Sequence, residues 1–80
     1  MIEVTEAKYL KDYVIWLRFN DGSEGEVDLK DELSGEVFEP LSDRKFFKNF
    51  ILNHEWKTIA WSNGADFAPE FLYSLLKVHV

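Results

Sequence analysis

Residues 13–29, YVIWLRFNDGSEGEVDL, are the stretch whose reading decides the fold. The first seven, Tyr13 to Phe19, are rich in β-branched and aromatic types and read as a strand. They are apolar on both faces except at Arg18, the pattern of a central strand covered on one side by a helix. Asn20-Asp21-Gly22 turns the chain, and residues 24–29 return with Val27 and Leu29 inward. The register follows from burial. A two-residue loop on Asp21-Gly22 would set Leu17 against Glu26 and Phe19 against Glu24. A three-residue loop with Gly22 in the left-handed region sets Leu17 against Gly25, Ile15 against Val27 and Arg18 against Glu24. A slip of one residue exchanges the faces, so the apolar pattern selects the longer loop. Gly25, facing a bulky strand, marks a bulge or a close backbone approach.

Working outward, residues 2–9 alternate apolar and polar as a half-buried strand, which Lys11-Asp12 ends. Lys30–Gly35 is polar and turn-like. Residues 37–41 are apolar but irregular, because Pro40 bars a regular helix, and Phe38 and Leu41 are expected to plug the core. Ser42 or Asp43 caps a short helix over 43–49 carrying Phe46 and Phe47, with Phe50 one turn on from Phe46. Two β-prone runs, 50–52 and 57–61, are parted by Asn53–Trp56 and make a second hairpin with Trp56 exposed near its tip. Asn63-Gly64 turns the chain again. Pro69 opens a C-terminal helix over 69–77, with Glu70 at its positive end. Leu72, Leu75 and Leu76 form its buried stripe, with Phe71 and Val78 beside them. The fold class is α+β, a small antiparallel sheet of about five strands packed with a short middle helix and a C-terminal helix. Two hairpins and the N-terminal strand supply the sheet, in a single domain over 1–80.

A chain of 80 residues has room for one core, and the absence of cysteine excludes disulfides and thiolate metal sites. Three Trp, three Tyr and seven Phe must then hold a small core together, unless some rings face a partner. The net charge of −6 argues against direct contact with nucleic acid or an anionic membrane and suits a basic protein partner. The chain begins MIEVTEAKYL, without a basic or apolar leader, and is expected to be cytoplasmic.

No catalytic constellation is legible. His54 and His79 stand alone, which gives no metal site, and no cofactor motif is present. The serines lack a neighbouring base. Asp66 and Glu70 are the one enzymatic pair, converging near the helix start in a pocket beside the Trp61–Tyr73 loop. Their structural reading is stronger: Asp66 accepts loop amides and Glu70 serves the helix dipole. The candidate interface is Trp56, Trp61, Asn63, Asp66, Glu70 and Tyr73.

The residues Phe19–Gly22, Val27–Leu29, Gly35–Leu41, Phe46 or Phe47 and, above all, Trp61-Ser62-Asn63-Gly64-Ala65-Asp66-Phe67-Ala68-Pro69-Glu70 with Leu72-Tyr73 resemble the bacterial domain-of-unknown-function family 2442 over nearly the whole chain. Ser62 stands where members of that family commonly carry proline. The resemblance implies a small α+β domain without established catalytic residues. Its genes often neighbour a second small family, and such pairs have been proposed as toxin–antitoxin modules. It therefore implies a binding module, the antitoxin-like half of a two-gene pair, and the net charge of −6 independently suits the capture of a basic protein partner. The other readings are a homodimer and a small-ligand protein or minor enzyme using Asp66 and Glu70.

Overall fold

In the computed structural model, which describes residues 1–77, five strands and two short α-helices follow one another along the chain. Strands β1 (Val4–Lys11), β2 (Val14–Phe19) and β3 (Glu24–Asp28) form one antiparallel sheet in that order. Helix α1 (Arg44–Phe47) leads into β4 (Ile51–Asn53) and β5 (Thr58–Ala60), which pair as a separate two-stranded sheet. Helix α2 (Pro69–Ser74) comes last. The α+β class and the five strands are as expected; their division into two sheets is new. A single main-chain bond, Val4 N–H to the Lys57 carbonyl at 2.9 Å, links β1 to the start of β5.

The β2–β3 register is the one selected by the burial pattern. Ile15 faces Val27, Leu17 faces Gly25 and Arg18 faces Glu24. The loop has three residues, closed by Phe19 N–H to the Ser23 carbonyl, and Gly22 sits at φ +88°. Asp21 reinforces it by accepting the Ser23 N–H. One face of β2, Ile15, Leu17 and Phe19, is fully in the core. The other carries Val14, Trp16 and Arg18, with no helix needed to shield the indole. The Lys8 ammonium and the Arg18 guanidinium lie over the Trp16 ring at 5.4 and 5.2 Å. Arg18 is held in turn between Glu6 and Glu24 at 3.0 and 2.9 Å. Its guanidinium is pushed further towards the charged form, chiefly by the hydrogen bond to Glu24.

The remaining elements are shorter than expected, for identifiable reasons. Asp43 caps α1 by accepting the Lys45 N–H, and α1 stops at Phe47. Pro40 lies in a 3-10 turn, Glu39–Ser42, which delivers Leu41 to the core and leaves Phe38 half-buried. The second hairpin turns on Asn53, whose side chain accepts the Glu55 and Trp56 N–H groups, with Lys57 at φ +59°. Trp56 is 53% exposed there. Helix α2 ends at Ser74 rather than 77 because Lys77 is already paired with Glu26 in an antiparallel bridge along β3. Val78, expected beside the α2 stripe, lies outside the described residues, as does His79.

Gly25 is the glycine on which this pairing depends. A Cβ at that position would stand 2.2 Å from the Lys77 carbonyl oxygen and 3.3 Å from Leu76 Cδ1. The close approach expected of Gly25 is therefore made by the backbone that follows α2. Gly25→Ala must displace a carbonyl rather than a flexible side-chain end, and should destabilise the chain by about 1–3 kcal/mol, as overpacking does. Urea unfolding measures the loss, and the Lys77 amide should lose its protection from exchange first.

Candidate functional site

Trp61 closes β5 and begins the Asn63-Gly64 turn. The structure places its ring in the core, 4% exposed, with Nε1–H donating to the Phe47 carbonyl at 2.7 Å. That carbonyl is among the last of α1 and has no partner within so short a helix, so the indole serves as its cap. Around Trp61 lie Phe47 at 5.7 Å, Phe50 at 6.1 Å and Phe67 at 5.9 Å. Tyr13 in turn meets Phe47 edge-on at 5.2 Å. Trp61, named in the candidate interface, is thus a core residue whose ring offers no free surface.

Asn63 is likewise tied into the fold. Its Oδ1 accepts the Ala65 N–H at 3.1 Å, and its Nδ2 donates to the Val37 carbonyl at 3.0 Å. The loop amide expected to fall to Asp66 is met by Asn63 instead. Asp66 contributes its backbone, paired with Ala60 in an isolated bridge, while its side chain is half-buried. The Phe67 carbonyl, which follows, is satisfied inside the core by the Thr58 hydroxyl at 2.6 Å. Tyr73 is also engaged: its ring meets Phe19 edge-on at 5.1 Å and its hydroxyl donates to Asp21 Oδ2 at 2.8 Å. The aromatic ends of the stretch thus hold the β2–β3 hairpin and α1 together, and neither projects freely to solvent.

What the same stretch does project is Phe71 on α2, 37% exposed, stacked at 5.8 Å and 16° on the buried Phe67. Phe38 rests on that same Phe67 ring at 4.8 Å. Val37, 47% exposed, adjoins Phe38 and is pinned by Asn63. The result is an apolar ledge drawn from two distant segments. Glu36, Glu39 and Glu70, all exposed, are its sequence neighbours. Neither residues 31–43 nor residues 58–76 contain a single Lys or Arg. Sequence reasoning named Glu70 but missed Val37, Phe38 and Phe71 as a surface. The signal was the Glu-Val-Phe-Glu and Glu-Phe pattern, apolar residues set between acids, which looks like core filling until Phe67 is seen to be shared.

An open groove of about 850 Å³ lies elsewhere, lined by residues of the β1–β2 turn, β3 and α1. Neither Asp66 nor Glu70 lines it. No three His, Asp or Glu side chains among the described residues are arranged to hold a metal ion. No described helix is long and apolar enough to cross a membrane.

Fold and surface together define a small α+β protein with an aromatic core and no assembled catalytic group among the described residues. The chain belongs to the protein family of unknown function DUF2442, whose model matches residues 4–77. No curated protein and no solved structure matches it.

Two measurements check this account. Trp61→Phe keeps most of the ring volume but strands the Phe47 carbonyl, and should cost about 1–3 kcal/mol in urea unfolding. Asp21 sits below the ordinary carboxylate value of 3.8 because it accepts the Ser23 N–H and the Tyr73 hydroxyl. A depressed folded-state value means that the contribution of Asp21 is complete above 3.8 and is lost as pH falls through that lower value. Tyr73→Phe should bring the Asp21 carboxyl closer to its ordinary titration, read by NMR, and make stability less steep on acidification.

Proposed function

We propose that this protein is a binding module that captures a basic protein partner on the Val37–Phe38–Phe71 ledge. The observation that carries the reading is a set of exposed apolar side chains whose own segments, 31–43 and 58–76, carry acids and no Lys or Arg. Exposed Phe and Val would be desolvated by a partner's apolar side chains, while Glu36, Glu39 and Glu70 would meet its Lys and Arg at the rim. The protein's net charge of −6 would speed the encounter with such a partner and turn away acidic competitors. Phe71 has the features of an anchor: it is large, partly exposed and already held in orientation by stacking on Phe67. Trp56, exposed at the tip of the second hairpin, is a separate contact available to the same partner. The resemblance to pairs proposed as toxin–antitoxin modules supports a partner encoded beside this gene, which makes the chain the antitoxin-like member. Nothing in the site geometry favours the small-ligand or enzymatic use of Asp66 and Glu70.

The test is capture with tagged full-length protein, from its own bacterium and from cells co-expressing the neighbouring gene. A stoichiometric basic chain should co-elute. Phe71→Ala should weaken its affinity by about thirtyfold, the ~2 kcal/mol of an interface anchor. Glu39→Lys with Glu70→Lys should slow association, and its salt dependence should flatten. Recovery of the chain alone overturns the reading, as does a partner held equally by all variants. A self-dimer broken by Phe71→Ala would assign the ledge to a second copy.

A further inference from the structure

The cations that are missing from the ledge are concentrated elsewhere. Lys11, Lys30, Arg44 and Lys77, four of the nine Lys and Arg side chains, line the open groove of about 850 Å³. Three acids, Asp12, Glu26 and Asp28, line it too; Asp12 is matched by a cation in an ion pair, and four cations against three acids leave the groove an excess of one positive charge. Asp12 pairs with Arg44 at 3.2 Å, Asp28 Oδ1 accepts the Lys30 backbone N–H at 3.0 Å, and Glu26 also has an interaction of its own. Lys11, Lys30 and Lys77 have no ion-pair partner among the described residues.

We propose that this groove binds a small phosphate-bearing anion, with Lys11, Lys30 and Lys77 as its cationic donors and Arg44 as an oriented guanidinium. The three lysines come from β1, the segment after β3 and the segment after α2, so separate elements contribute them to one groove. Compact point charges on flexible stems suit a tetrahedral oxyanion, which can accept hydrogen bonds from several directions. The groove's volume falls within the ~300–1,000 Å³ usual for small-molecule sites.

The framework behind these cations is specific. Asp12, which holds Arg44, sits at φ +45°, a conformation that side-chain-bearing residues adopt sparingly. Its carbonyl accepts the Tyr9 hydroxyl at 3.1 Å. Arg44 follows the Ser42 carbonyl, which accepts the Tyr13 hydroxyl. Lys77 is fixed by two main-chain bonds to Glu26, at 2.9 and 3.4 Å, and that pairing exists only because residue 25 is a glycine. This site shares no residue with the apolar ledge and does not depend on it.

The experiment is an NMR amide titration of the full chain with inorganic phosphate and with pyrophosphate, against sodium chloride at matched ionic strength. Saturable shifts should centre on Lys11–Val14, Lys30, Arg44 and Lys77, with pyrophosphate the tighter ligand. Removing Lys11 and Lys30 together (Lys11→Gln with Lys30→Gln) should weaken binding by about tenfold per ammonium, one charge-assisted hydrogen bond each. Thermal unfolding of that variant should match the native protein, because neither ammonium holds an ion pair among the described residues. Lys8→Gln, at a cation outside the groove, should bind as the native chain does. Non-saturating shifts that follow ionic strength overturn the proposal, as does native affinity in the double variant.

Discussion

The hydrogen bond from the Trp61 indole to the Phe47 carbonyl is the interaction on which the rest of this structure depends. It joins α1 to the end of the second sheet at a buried point where water cannot substitute for a lost partner. The rings around it form a continuous run from Tyr13 through Phe47 and Trp61 to Phe67, and from there to Phe38 and Phe71. A chain of this length buries a smaller share of its surface than a larger domain can. Aromatic side chains offset that handicap by contributing large areas for few ordered dihedral angles. The polar ends of Trp61 and Thr58 are both met by main-chain carbonyls, which removes the desolvation penalty that such groups would otherwise carry.

The outward face of the three-stranded sheet solves a different problem. A tryptophan at Trp16 cannot enter the core, because Ile15 and Leu17 already point there. It is covered instead by the charged ends of Lys8 and Arg18, and Arg18 is aligned by Glu6 and Glu24 on the neighbouring strands. Such exposed pairs contribute little individually. Their use here is positional: alternating charge across β1, β2 and β3 favours one register and covers an apolar ring without a helix.

The β2–β3 hairpin was legible because side chains alternate with period two, and a slip would have turned acids into the core. The Gly25 close approach was legible for a related reason, since a glycine opposite Leu17 leaves a gap that something must enter. The identity of what enters was not. Lys77 lies far away in sequence, and its bridge to Glu26 follows from long-range pairing that local pattern does not encode. The same limit explains Trp61 and Tyr73. Residue type alone does not separate a ring that binds a partner from one that closes a core, and both found acceptors within the chain, Trp61 at the buried Phe47 carbonyl and Tyr73 at the exposed Asp21. Asn63 was recognised as a turn residue, but its second bond, to the Val37 carbonyl, brings in a segment that the sequence keeps well apart.

That second bond of Asn63 has a wider consequence for the surface. By fixing Val37 to the turn after β5, it sets the acidic segment 31–43 beside the cation-free segment 58–76. All nine Lys and Arg residues therefore belong to other parts of the chain, and Lys77 and Arg44 are delivered to the opposite kind of site by the Glu26 bridge and the Asp12 pair. Charge segregation of this sort gives no stability, because like charges brought together repel. A fold selected for stability alone would intersperse the two signs, as it does around Arg18. An acid-bordered apolar ledge and a groove that gathers four of the nine cations on one small domain are therefore features that folding stability alone does not account for.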